Sequence, residues 1–222
     1  LCLALAELQL RVGRLDQAET HLQALSQGTS PVAIRALCQL SRKRMAEGEV
    51  EQAQVLLETA MELAVVVGEN HLSSLVHMRL GDCLLKQGRV DDALTYLNQA
   101  TVLAESIGDR ELLIDAHRFL GVAHWTLGDS EQAATCYHAA LEWSRALGRR
   151  RSAASLGVDL AIIEDSGGDS EQACRGFEHA LEVYQSLGDR LEIQFVLVNW
   201  GVALERLGRL DEARKLYERA LV

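Results

Sequence analysis

Apolar residues recur at intervals of three and four along nearly the whole chain, the period of a helix with one buried stripe. Short glycine-centred gaps break the stripe, so the pattern predicts amphipathic helices in pairs, joined by tight turns. The gaps carry one phrase six times: Gly13-Arg-Leu-Asp-Gln-Ala18, Gly48-Glu-Val-Glu-Gln-Ala53, Gly88-Arg-Val-Asp-Asp-Ala93, Gly128-Asp-Ser-Glu-Gln-Ala133, Gly168-Asp-Ser-Glu-Gln-Ala173 and Gly208-Arg-Leu-Asp-Glu-Ala213. The spacings are 35 and then 40 four times over. A fixed period of this size is the signature of a repeat protein.

The surroundings of the phrase repeat too. Seven or eight residues before the glycine stand a large and then, in most units, a small residue: Leu5-Ala6, Leu40-Ser41, Leu80-Gly81, Leu120-Gly121, Leu160-Ala161 and Trp200-Gly201. Four residues after the alanine stand Leu22, Leu57, Leu97, Tyr137, Phe177 and Tyr217. Small residues let two helix backbones approach, and the large ones fill the space between them. The turn glycine supplies a left-handed conformation at no Cβ cost. The acidic column Asp16, Glu51, Asp91, Glu131, Glu171 and Asp211 falls in the first turn of each second helix, where the dipole favours negative charge. A second glycine column, Gly68, Gly108, Gly148 and Gly188, ends the second helices, with Asp109 and Asp189 as N-cap candidates for the helices that follow. In the first repeat the second helix is expected to stop at Gly28, and Ser30-Pro31 to start the next one.

These columns resemble the tetratricopeptide repeat (TPR), and Leu120-Gly121, Gly128, Ala133, Tyr137 and Ala140 carry the resemblance best. It spans essentially the whole chain. The period is 40 where the consensus has about 34, and the closing proline is missing. The longer form, with Gly108-Asp-Arg110 and Gly188-Asp-Arg190 linkers, looks like LGN/Pins-type repeats and equally like those of bacterial multidomain regulators. The resemblance implies an all-α fold, a right-handed α-solenoid of about six helix-turn-helix TPR units. The expected repeats are 1–29, 30–68, 69–108, 109–148, 149–188 and 189–222, one array within a longer chain. Neither end offers a polar capping helix, so end-to-end self-association is expected.

Composition narrows the setting. The 222 residues carry a net charge of −10, which disfavours a nucleic-acid surface, since phosphate contacts need a basic face. No apolar run is long enough to span a bilayer. The five cysteines, Cys2, Cys38, Cys83, Cys136 and Cys174, are scattered singly and read as small core residues of a reducing compartment, hence a cytoplasmic protein. Of the 22 basic residues 19 are Arg, a bias of GC-rich bacterial genomes. No phosphate loop, nucleophile motif or ligand spacing is present, so neither enzyme activity, nor a cofactor, nor a metal is expected. His77 and His117 share a column and, with His124, read as packing residues.

The resemblance further implies that the first helices of the repeats line a concave groove. Projected on that geometry, Arg42, Met45, Met78, Asp82, Lys86, Arg118, Val122, Trp125, Ile162 and Arg206 fall on the groove wall, along with Val158, Asp165, Val198, Val202 and Glu205. Met78, Arg118 and Trp125 form the expected hot spot, because Trp and Arg dominate protein interfaces. The paired basic clamp used on C-terminal carboxylates is absent. The expected function is therefore a protein-interaction scaffold that binds a peptide or helical segment. The alternative is an effector-sensing regulatory domain of a bacterial signalling ATPase or transcription activator.

Overall fold

The computed structural model describes residues 15–26 and 29–221. Among them run eleven helices: α1 (Leu15–Ser26), α2 (Pro31–Ala46), α3 (Val50–Val67), α4 (Asn70–Lys86), α5 (Val90–Ile107), α6 (Arg110–Thr126), α7 (Ser130–Ala146), α8 (Arg150–Ser166), α9 (Ser170–Leu187), α10 (Arg190–Arg206) and α11 (Leu210–Ala220). Even-numbered helices up to α10 are the first helices of their repeats, and odd-numbered ones the second. The expected columns Leu5-Ala6 and Gly13, with Gly28, lie outside the described residues.

Both glycine columns do what a missing Cβ permits. Gly48, Gly88, Gly128, Gly168 and Gly208, and then Gly68, Gly108, Gly148 and Gly188, all have φ between 66° and 95°. The acidic column stands in the first turn of every described second helix from α3 on. Ser30 caps α2 through the Ala33 amide at 3.2 Å, with Pro31 at the first helical position. Asp109 caps α6 through the amides of Glu111 and Leu112. Asp129 and Asp169 cap α7 and α9, which the sequence pattern did not single out. Asp189 is a correction: its carboxylate makes no cap bond and instead accepts from Arg151 Nε at 2.7 Å. An arginine reaching across from α8 competes successfully with a local amide, because the charged hydrogen bond is the stronger.

The chain divides into two compact units, Leu1–Leu127 and Gly128–Val222. In the first, α4 touches four helices: α3 and α5 as hairpin neighbours, and α2 and α6 as the flanking first helices. Its core joins Ile34, Leu37, Leu57, Ala60, Leu72, Val76, Leu80 and Cys83. Gly81 is where α4 and α5 cross: a Cβ there would stand 2.5 Å from Leu97 Cδ2. In the second unit α8 and α10 are packed the same way on α7, α9 and α11, around Val158, Ala173, Phe177, Tyr184, Val196 and Leu204. Gly201 plays the part of Gly81, with the Tyr217 ring filling the space a Cβ would need. Each unit is thus a stack of helix pairs in register, the α-solenoid class that the repeats imply.

Candidate functional site

The face shared by α2, α4 and α6 gathers charge from all three helices. Asp82 lies within electrostatic reach of Lys86 and Arg79 on its own helix, Arg118 on α6 and Arg42 on α2. Arg79 is within reach of Arg42, of Asp115 on α6 and of Asp82. Four cations thus lie around Asp82, and one of them, Arg79, is also near Asp115. Burial raises the Asp82 pKa above the usual carboxylate range despite those cations. Burial also lowers that of Arg79, and the charge of Arg42 adds to the effect.

Arg79 stands out within this group. It is half-buried, its Nε–H is shut from solvent, and it has no acceptor. Among the described residues no carboxylate comes within ion-pair distance of its guanidinium. Arg118 is held differently, with its Cζ 4.2 Å from the centroid of the Phe119 ring. Arg42 is exposed and donates to Gln39 at 3.2 Å, and Lys86 is exposed. Val122 and Trp125 follow Arg118 on α6 and are half-buried.

Four members of the expected groove wall are not on a surface. Met78 is 1% and Met45 is 8% exposed. The consensus geometry leaves position 78 facing out, but α4 has helices on four sides, and a long apolar side chain there is taken into the packing. Val158 and Asp165 are buried in the second unit likewise. Arg79 and Asp115 were missed. Their signal was available: Arg79 is a lone charge in Leu75-Val-His-Met-Arg-Leu80, directly before the buried Leu column.

In the second unit the corresponding face is closed by its own bonds. Arg206 Nη1 reaches both Asp165 Oδ2 and the Asp165 carbonyl oxygen at 2.9 Å, and Ser170 Oγ donates to Asp165 Oδ1 at 2.6 Å. Ile162 packs against the core. Further along, Phe195, Val198, Tyr217, Ala220 and Leu221 line an apolar cavity of about 520 Å³, and Leu221 is 87% exposed.

Cys38, Cys83, His77 and His117 are buried or half-buried in the helix packing. Burial pushes the Cys38 thiol up to about 12 and Cys83 to about 11, far from the thiolate a nucleophile needs. His77 Nδ1 pairs with the Ser73 carbonyl oxygen at 2.6 Å, and its ring meets Tyr96 at 5.8 Å. His117 is held below the ordinary histidine pKa by burial, against the pull of Glu105, and its Nδ1 has no partner. Among the described residues no three His, Cys, Asp or Glu side chains could hold a metal ion, and no helix is long and apolar enough to cross a membrane.

Family comparison agrees with this architecture. The tetratricopeptide repeat model matches residues 32–106, 73–146 and 151–221, and a second model of the same description matches residues 1–24. No curated protein matches in sequence. Among solved structures, BtubC (BKLC) from P. vanneervenii is 21% identical, with a TM-score of 0.75 over 98% of this chain and 87% of that one. The chain is also similar to a signal transduction ATPase with a tetratricopeptide repeat sensor from Pyrococcus horikoshii. That match has a TM-score of 0.79 and 15% identity, over 96% of this chain and 34% of that one. A Rap protein complexed with competence and sporulation factor gives 0.74 and 12%, over 97% and 72%. At these identities the likeness is one of fold.

Proposed function

Because the chain belongs to the tetratricopeptide repeat family, we propose that it is a protein-interaction scaffold, binding rather than catalytic, whose first unit holds a peptide or helical segment on the α2–α4–α6 face. The observation that carries this reading is the pairing of Arg118 and Trp125 on α6. They are seven residues apart, two helical turns, so both project to one side. Each offers apolar area with a directed donor, the chemistry of interface hot spots. The four cations around Asp82 favour a partner with at least one carboxylate, in a chain of net charge −10. Arg42, Asp82, Lys86 and Val122 form the rest of the wall. The 40-residue period sides with the LGN/Pins-like and bacterial-regulator subtypes, and the setting that fits is the bacterial cytoplasm.

The test is binding of peptides selected from a random library displayed on phage, measured by calorimetry. Arg118→Ala and Trp125→Ala should each weaken binding by more than about 1 kcal/mol with helicity unchanged. The exposed Glu142→Ala change should leave it alone. Full-strength binding by both α6 variants would refute the assignment of this face.

A further inference from the structure

We infer that the exposed faces of α3 and α5 dock a cationic amphipathic helix of a partner protein. This is a second surface of the first unit, built from second helices, and it stands independently of the α2–α4–α6 face.

The argument starts from four valines that the fold leaves in water. Val55, Val65 and Val66 on α3 and Val102 on α5 are 61%, 77%, 73% and 64% exposed. Valine at such a site gains no burial. It is also a poorer helix former than Glu, Lys or Gln, because its branched Cβ is restricted against the preceding turn. The repeat does not require it either. In the second unit the Val55 column holds Thr135, Arg175 and Lys215, and the Val65 column holds Arg145 and Gln185. The Val102 column there holds Glu142 and Glu182. On α3, Val55, Glu62 and Val66 are spaced seven and four apart and share one face. One period on, Glu62 becomes Val102 and Val66 becomes Ser106, so α5 presents the matching stripe. Both helices pack on α4. Beside Val102 a cavity of about 470 Å³, lined by His77, Asn98, Gln99, Val102 and Leu103, has room for a leucine or phenylalanine side chain.

Charge decides the occupant. Within their bounds α3 and α5 carry six carboxylates, Glu51, Glu58, Glu62, Asp91, Asp92 and Glu105, and neither Lys nor Arg. Every second helix of the second unit carries at least one Lys or Arg. Glu58 and Glu62 are like charges four residues apart, and Glu105 stands in the last turn of α5, at the negative end of its dipole. Both arrangements cost local stability, and an incoming cation relieves them. Arg89, just before α5, is already paired with Asp92 at 2.6 Å. A helix with apolar residues at three- and four-residue spacing, flanked by Lys or Arg, fits the valines and the acids together. An anionic bilayer is repelled by this face, and a second copy brings its own net charge of −10.

The test is a phage library of helical peptides, selected on the intact chain and counter-selected on the Val55→Thr/Val65→Gln/Val66→Ser variant. Each replacement already stands in its column in another repeat, at Thr95, Gln185 and Ser106. The variant should therefore melt where the native chain does; a lower midpoint would mean that the valines are part of the packing, and the inference falls. Surviving peptides should be cationic, with apolar residues at helical spacing, and should bind the native chain about tenfold more tightly than the variant. Combined Glu58→Gln, Glu62→Gln and Glu105→Gln changes should weaken them by a similar factor, and added salt should act in the same direction. An empty pool, peptides without net positive charge, or binding indifferent to the glutamate changes would overturn the assignment. Arg118→Ala and Trp125→Ala should leave these peptides bound. If either releases them, they sit on the α2–α4–α6 face, which sinks this inference and keeps that one. Two further results would put another occupant here and overturn the proposal: self-association of the native chain, or its co-sedimentation with phosphatidylglycerol vesicles, that the valine variant abolishes.

Discussion

The two units meet the same problem, a charged arginine on a crowded first-helix face, with different outcomes. In the second unit Arg206 crosses from α10 to the end of α8 and finds the carboxylate and carbonyl of Asp165, itself fixed by Ser170. In the first unit Arg79 finds charges but no bond. The position along the helix makes the difference. Asp165 stands in the last turn of α8, where an arginine at the end of α10 still half in water can swing onto it. Arg79 leaves the middle of α4, where α2, α3, α5 and α6 crowd its base. The first unit also holds other buried nitrogens without partners, His71 Nδ1 and His117 Nδ1, while the second has the Trp200 indole nitrogen, beside the Cys174 thiol. The lesson is that a closed face is built for stability and an incompletely paired one is compatible with recognition.

The contrast is broken most severely at Asp165. Asp165→Ala takes the carboxylate from Ser170 and Arg206, leaves Arg206 only the backbone carbonyl, and should cost about 2–3 kcal/mol in urea melts. Asp82→Asn in the first unit should cost under about 1 kcal/mol, since no bond is lost there. Equal losses would erase the distinction between the two faces.

Glycine substitutions give the next effect. Gly81→Ala forces a methyl group onto Leu97 Cδ2 and Cγ and should cost about 1–2 kcal/mol. Gly157→Ala in α8 meets nothing within 4 Å, so better helix propensity should stabilise it by about 0.5–1 kcal/mol. Opposite signs in thermal melts are the expected outcome, and a loss at Gly157 would show that α8 and α9 are closer than described.

Association is a weaker effect. Phe195 is 50% and Val198 is 45% exposed beside the apolar cavity at α10 and α11. Sedimentation should show concentration-dependent self-association that Phe195→Gln reduces. A strict monomer at high concentration would remove end-to-end contact from the partner chemistry.

The smallest effect is a pH dependence in the first unit. The folded-state pKa of His117 is depressed, so the unfolded chain takes up the proton first as pH falls. Its contribution is absent above the ordinary histidine range and becomes a loss of stability below it. His117→Gln should therefore flatten the decline between roughly pH 7 and pH 5. An unchanged slope would show that His117 does not carry it.

Much of the framework was legible in the sequence because it depends on local chemistry. Gly48 through Gly208 take positive φ where the repeated phrase places them, and Ser30 caps α2 as the Ser-Pro pair implies. The candidate face was legible in part. Arg42, Asp82 and Arg118 come together, because Arg42 and Asp82 are one 40-residue period apart and Arg118 stands one helical turn before the next such position, Val122. Met78 and Met45 were misplaced, because a consensus projection knows which way a residue points but not how many helices surround it. Asp189 was misassigned because the distant Arg151 outcompetes the local amide.

By itself the sequence determined the helix pairs, their period and their turns, since hydrophobic spacing, glycine and capping residues act within a few positions of one another. Only the tertiary structure decided which charges are satisfied. Asp165 and Arg206 are 41 residues apart and Arg79 and Asp115 are 36 apart. Nothing in either spacing says that the first pair closes to 2.9 Å while the second does not. Pairing depends on distances of a few ångströms between side chains on different helices, and those are set by how the neighbouring helices pack.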